Sequence, residues 1–316
     1  MSTATSSRLD MPGYDPRDFV GYGRTPPHPR WPGDARIAVQ IALNYEAGGE
    51  RNVLHGDPHS EDVLCDGPFG PYHGKRAPYV ESEFEYGSRV GAWRLLRIMR
   101  ERGVKCSFFA VVQAIEANPD LAIAAIEDGH EMVGHGYRWF DYQNVAIDEE
   151  RMLLQKAVDG IARITGQRPV GWMTGRPSMN TRQLLVEDGG FLYDRDSLAD
   201  ELPYWVSVHG KPHLCVPYSF ETNDLRCTAF GDFVTSEDYF TYMKDAFDWL
   251  YAEGETQPKM LSLALHDRLL GRPARAAGFA RLLDYILAHD KIWIARGDEI
   301  ARHWIAHFPP PAEAAR

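Results

Sequence analysis

The chain is expected to fold as one α/β domain, a single distorted and incomplete (β/α) barrel of about seven parallel strands. Three observations lead there. Short apolar runs alternate with amphipathic helical patterns along the whole length, as in repeated βα units. Polar residues able to do chemistry fall where those runs end, and parallel barrels keep their sites at the carboxyl ends of strands. No internal repeat, low-complexity tract or linker divides the 316 residues. One body spanning residues 14–308, followed by a tail over 309–316, is the simplest partition.

Taken in order, the opening MSTATSSRLD has no apolar segment, and residues 1–13 read as a disordered start without a signal peptide. Residues 14–32 are rich in Pro, Gly and aromatics and read as an extended arm lying on the body. Gly21-Tyr22-Gly23 is no phosphate loop, because no strand precedes it, no helix follows and the third glycine is absent. Residues 36–44 (RIAVQIALN) form the first core strand. The irregular stretch over 51–85 is long enough to imply a functional loop or a subunit contact. Ser88 then caps a helix with Val90, Trp93, Leu96 and Met99 inward.

From there the alternation is regular. Further strands are expected over 105–112, 131–135, 169–174, 191–193, 260–265 and 291–295. Helices are expected over 119–127, 148–165, 181–188, 236–251, 273–288 and 298–306. Residues 202–206 and 214–216 form a strand pair around an excursion.

Composition narrows the partners. Apolar residues at 44% and charged residues at 25% supply an ordinary globular core. A net charge of −11 with no basic run argues against nucleic acid and anionic membrane. No apolar run is long enough to span a bilayer. Cys65, Cys106, Cys215 and Cys227 are widely spaced, without a metal or redox pair, and Cys106 sits in a strand-like run as a buried thiol. A cytoplasmic protein acting on a small molecule is the expectation.

Four strand ends carry candidate chemistry: Asn44-Tyr45-Glu46, His135, the stretch from Arg176 to Asn180, and His266. Each alone reads as an ordinary structural residue, and Arg176 could simply pair with Asp194 or Asp196. Gathered on one barrel rim, they point to a site. The stretch DGHEMVGHGYRW does not make a helical His-Glu-x-x-His zinc site, because His130 and His135 are five apart with Gly134 between them.

That stretch, with Asn44-Tyr45-Glu46, Arg176-Pro177 and an apolar strand ending in His266, resembles the ordered motifs of the polysaccharide deacetylase superfamily. The runs NYEAGGER, EYGSRVGAWRLL, HGYRWFDYQ, GGFLYD, DELPYW and LHDRLLGRPAR are similar to its bacterial allantoinase branch. The resemblance covers residues 14–304 and implies a NodB-like deacetylase barrel.

Deacetylases of this superfamily carry paired aspartates and a second histidine at i+4 from the first. Here Tyr45 and Glu46 stand for the aspartates and Trp139 for that histidine, and tryptophan cannot coordinate zinc. The resemblance therefore implies hydrolysis of a cyclic amide, allantoin to allantoate in urate breakdown, with no metal or other cofactor, in a homotetramer. The aromatics Trp31, Phe69, Tyr72 and Tyr79 of the arm and long loop suit such an assembly.

Glu46 is the expected general base and His266 the acid, with His135 beside them. Asn44, Tyr45, Trp139, Arg176 and Asn180 are expected to contact substrate. Three readings stand beside this one: another cyclic imide or hydantoin as substrate, a metal-dependent carbohydrate N-deacetylase, and a scaffold without activity.

Overall fold

The computed structural model describes residues 17–229 and 231–310; the expected disordered start and residues 311–316 lie outside them. The strands are β1 (Ile37–Tyr45), β2 (Ser107–Ala110), β3 (Glu131–Gly134), β4 (Gly171–Trp172), β5 (Tyr193–Asp194), β6 (Tyr204–Val208), β7 (Lys211–Cys215), β8 (Lys259–His266) and β9 (Ile292–Ile294). The helices are α1 (Pro78–Tyr86), α2 (Ala92–Glu101), α3 (Val112–Ala117), α4 (Pro119–Glu127), α5 (Ile147–Thr165), α6 (Thr181–Asp188), α7 (Ser236–Glu253), α8 (Pro273–Leu287) and α9 (Gly297–His307).

One curled sheet carries all nine strands. Eight run in the order β6-β7-β5-β4-β3-β2-β1-β8, and β9 lies beside β1. β1 is the hub. It pairs with β8 from Ile37↔Lys259 to Asn44↔His266. Its other edge is shared, with β9 beside Ile37 to Val39 and β2 beside Ala42 to Tyr45.

The free edge of β8 is met by loop backbone rather than by a strand. Met260 N–H donates to Glu201 and Ala264 N–H to Thr222, each at 3.0 Å. The barrel is thus incomplete, as expected, but has nine strands rather than about seven. The additional pair is the antiparallel hairpin β6-β7. Its turn, His209-Gly210, has φ of 48° and 76°, the positive values that a tight two-residue hairpin demands.

Ladder register levels the rim. Tyr45, Ala110, Gly134, Trp172, Asp194 and Cys215 form one row across neighbouring strands. The residues one step beyond that row, Glu46 and His135 among them, therefore emerge at one height. Side chains alternate along a strand, so Asn44 and Glu46 share a face and Tyr45 takes the other. Tyr45 packs against Phe108 with ring centroids 5.5 Å apart and bonds the Ser88 hydroxyl at 2.7 Å.

The helix expected from Ser88 starts earlier, at Pro78, inside what read as loop. A wider turn over Gly87–Gly91 joins α1 to α2. The extra residue rotates the helix face, so Val90 and Trp93 are partly exposed while Leu95, Leu96 and Met99 are buried. That turn meets the segment after β8 with almost no gap, and a Cβ on Gly91 would overlap the Asp267 carbonyl oxygen. Here glycine is required for close approach.

The arm lies against the base. Trp31 is buried between Trp293 and Trp304 and donates its indole N–H to the Lys259 carbonyl at 3.0 Å. Tyr72 and Tyr79 are exposed. All four cysteines are buried free thiols. Among the described residues, no helix is long and apolar enough to cross a membrane.

Candidate active site

The rim residues converge on a cavity of about 190 Å³ lined by Asn44, Glu46, His135, Trp139, Arg176 and His266, with Met173, Tyr218 and Asn223 also in its wall. This is below the ~300–1,000 Å³ usual for drug-sized ligands, so it suits one small ring. A larger surface cleft, about 870 Å³, runs past Leu198, Tyr242 and Trp249, but its lining holds no His, Cys, Lys or Arg. Volume does not locate the chemistry here; the grouping of buried ionisable side chains does.

Glu46 is the centre of the cavity floor. Its Oε2 accepts from Arg268 Nη1 at 2.6 Å, and its Oε1 lies 3.2 Å from His135 Nε2 and 3.6 Å from His266 Nε2. Burial alone would raise this carboxyl, but Arg268, then His266 and His135, outweigh it. Glu46 is held well below the usual carboxylate range. His135 Nδ1 faces the Met173 carbonyl at 2.6 Å, an atom that only accepts, so that nitrogen carries a proton.

His266 is oriented differently. Asp224 Oδ1 sits 2.6 Å from its Nδ1, while Asp224 Oδ2 accepts the His266 and Leu270 backbone N–H groups at 2.7 and 3.1 Å. The ring is therefore fixed with Nε2 toward the cavity, 3.6 Å from Glu46 and too far for a hydrogen bond. Burial would lower the pKa of this imidazole, but the Glu46 and Asp224 carboxylates reverse that and raise it.

Aromatic rings pack on the two cations near Glu46. The Arg268 guanidinium stacks over Phe84 at 4.2 Å and Trp139 at 5.0 Å, and Arg176 lies over the Trp139 ring at 4.4 Å. Arg176 does not take Asp194, which pairs with Arg182 at 2.7 Å and His213 at 3.0 Å. Asp196 is bound by the Thr174 and Gly175 N–H groups.

The superfamily's metal does not fit these residues. Arg268 already neutralises Glu46, and a divalent cation there would face a guanidinium 2.6 Å from its carboxylate ligand. Trp139, where the resemblance implies a second histidine, offers no atom that coordinates zinc. Among the described residues, no group of three or more His, Cys, Asp or Glu side chains is arranged to hold a metal.

Six of the eight residues singled out from sequence line the cavity. Tyr45 does not, because the two-residue period turns it outward among the helices. Asn180 lines a separate cleft beside α6, with Pro177 to Gln183 and His209. Arg268, Asp224, Tyr218 and Asn223 were missed. Arg268 alone had a signal, a charge two places past a strand-end histidine. The other three follow β7 in a stretch without periodicity.

The ion pair gives a prediction. Glu46→Gln takes the 2.6 Å carboxylate partner from buried Arg268, and Arg268→Met takes the guanidinium from buried Glu46; each should cost about 3–5 kcal/mol. The double variant should cost clearly less than their sum, as read from denaturant midpoints. Additive losses would mean that the two groups do not stabilise one another.

Comparison with known proteins bears on the fold and the family. The family model described as polysaccharide deacetylase matches residues 73–188. A Schizosaccharomyces pombe protein described as a polysaccharide deacetylase is 37% identical, across 94% of this chain and 99% of that one. A crystal structure described as a polysaccharide deacetylase of Pseudomonas aeruginosa PAO1 is 52% identical with a TM-score of 0.91, covering 94% of this chain and all (100%) of that one. The crystal structure of PuuE allantoinase is 48% identical, also with a TM-score of 0.91, covering 96% of this chain and 100% of that one. On its motifs, its curled parallel sheet and these relatives, the chain belongs to the polysaccharide deacetylase family.

Proposed function

We propose that this hydrolase opens the carbon–nitrogen bond of a small cyclic amide, with allantoin as the leading substrate and allantoate as its product. The observation that carries the reading is the small cavity over two buried pairs, Glu46–Arg268 and His266–Asp224. A sugar polymer needs an open groove, whereas this space suits one planar ring under Trp139 and Arg176. The likeness to PuuE allantoinase supports the choice among cyclic amides. Relatives described as polysaccharide deacetylases support the coarser statement, a hydrolase of this family.

The geometry also revises the roles expected from sequence. A carboxylate held as an anion as firmly as Glu46 accepts a proton poorly, so Glu46 positions the attacking water and stabilises the charges around it. His266 is better placed to move the proton. Its Nδ1–H is anchored on Asp224, and its Nε2 is free to take the water's proton and later give it to the leaving nitrogen. Arg176 supplies a cation for the ring's carbonyl oxygen or its polar arm.

Purified protein should be offered both enantiomers of allantoin, succinimide, dihydrouracil and N-acetylglucosamine oligomers. Release of allantoate is the expected result. Turnover of the sugar oligomers alone would overturn the cyclic-amide reading and leave only the family.

The proton shuttle predicts a pH profile. His266 must be unprotonated to begin, and its pKa is raised above its ordinary value. The rate should therefore climb with pH, with the midpoint of kcat/KM above the usual histidine value of about 6.5. Asp224→Asn removes one charge that raises it, so that midpoint should move down while kcat falls on the order of 10²–10⁴-fold. A profile unmoved by this substitution would remove His266 from the role.

A further inference from the structure

Tyr218 stands in the cavity wall between Phe109 and Phe220, with its ring 5.6 Å from the buried Arg195 guanidinium. Its hydrogen bonds can be assigned atom by atom. Asn44 Nδ2 faces the Leu265 carbonyl at 3.0 Å, an atom that only accepts, so the amide nitrogen of Asn44 is fixed there. The same nitrogen lies 3.1 Å from Tyr218 Oη. Asn223 Oδ1 accepts the Leu225 N–H at 2.8 Å, which fixes its amide nitrogen at the other end, 3.1 Å from Tyr218 Oη.

Two N–H groups thus point at one phenol oxygen and use its acceptor capacity. The hydroxyl's own proton is left over. Among the described residues nothing accepts it, although Tyr218 is only 4% exposed. Burial raises the phenol above its ordinary pKa, so it keeps that proton. A buried donor without an acceptor is costly and rare, and in a cavity wall it is a donor reserved for a ligand.

We propose that Tyr218 is a catalytic residue whose hydroxyl donates to the carbonyl oxygen of the substrate amide and then to the oxyanion. This rests on the amide-hydrolase reading above. As water's oxygen bonds to the carbonyl carbon, the C=O electron pair moves onto oxygen, where the Tyr218 O–H meets it. Water's proton goes to His266 Nε2. When the pair returns, the C–N bond breaks, its electrons pass to nitrogen, and nitrogen takes the proton from His266. Asn44 and Asn223 act through Tyr218 as positioning residues, because their donations leave its proton nowhere else to go. Arg195, charged and beside the ring, strengthens the donor.

Two measurements test this. Tyr218→Phe keeps the ring and removes the hydroxyl, so kcat on whichever amide the wild type hydrolyses should fall about 10²–10³-fold with KM little changed. An unchanged kcat, or a loss confined to KM, would overturn the proposal. Neutron diffraction of the substrate-free protein should show the Tyr218 deuteron directed into the cavity, and a deuteron on a protein acceptor would overturn it whatever the substrate. If no amide is hydrolysed but the deuteron points into the cavity, the substrate reading fails and the free donor stands.

Discussion

The buried contact between Glu46 and Arg268 is the constraint on which the site depends. Both side chains are at most 1% exposed, and neither could be left there alone without a severe desolvation penalty. Together they form a neutral pair at the cavity floor, with the Glu46 carboxylate held as an anion against a buried guanidinium. The guanidinium is held from above by Phe84 and Trp139 and from the side by the Leu64 carbonyl at 3.2 Å. Trp139 stands where the resemblance implies a histidine and packs on the cation that neutralises Glu46.

Much of the fold exists to bring those two residues together. Glu46 leaves the end of β1, the strand with most partners, and Arg268 leaves β8 beside it two residues past the Asn44↔His266 pair. The segment after β8 can turn back toward the rim because Gly87 and Gly91, in the widened turn before α2, present no side chain to Asp267. The Asp267 carboxyl is buried there and pushed up to about 7 by that burial, so the tight join also carries a group poised near neutrality. Asp224 ties the same segment down by accepting the backbone of His266 and Leu270 while it orients the His266 ring.

Sequence alone revealed the strands that are long and apolar, and with them the residues at their ends. β1, β8, α4 and α6 lie where the pattern put them, and Glu46, His135 and His266 follow from that. Tyr45 was misassigned because strand periodicity fixes which neighbours share a face, but not which face is inside until register is known. Val90 and Trp93 were misassigned because one widened helical turn shifts a periodic face and leaves no clear mark in composition. β6 and β7 were visible as a strand pair but not as a hairpin, since His209-Gly210 is a weak turn signal. Asp224, Asn223 and Tyr218 were illegible for a further reason. Asp224 and Tyr218 are placed by contacts to residues 42 and 174 positions away, Asn223 by its bond to Tyr218, and no local spacing records such contacts.

The central claim is that Arg268 is the counter-ion of Glu46 and leaves that carboxylate unavailable to a metal. The most direct test is prolonged chelation of the purified protein, with elemental analysis and turnover measured on the same sample. Full turnover with no zinc, iron, nickel or manganese retained is the predicted result. Loss of turnover on chelation, restored by stoichiometric zinc, would contradict it and show that the cavity floor is a metal site after all.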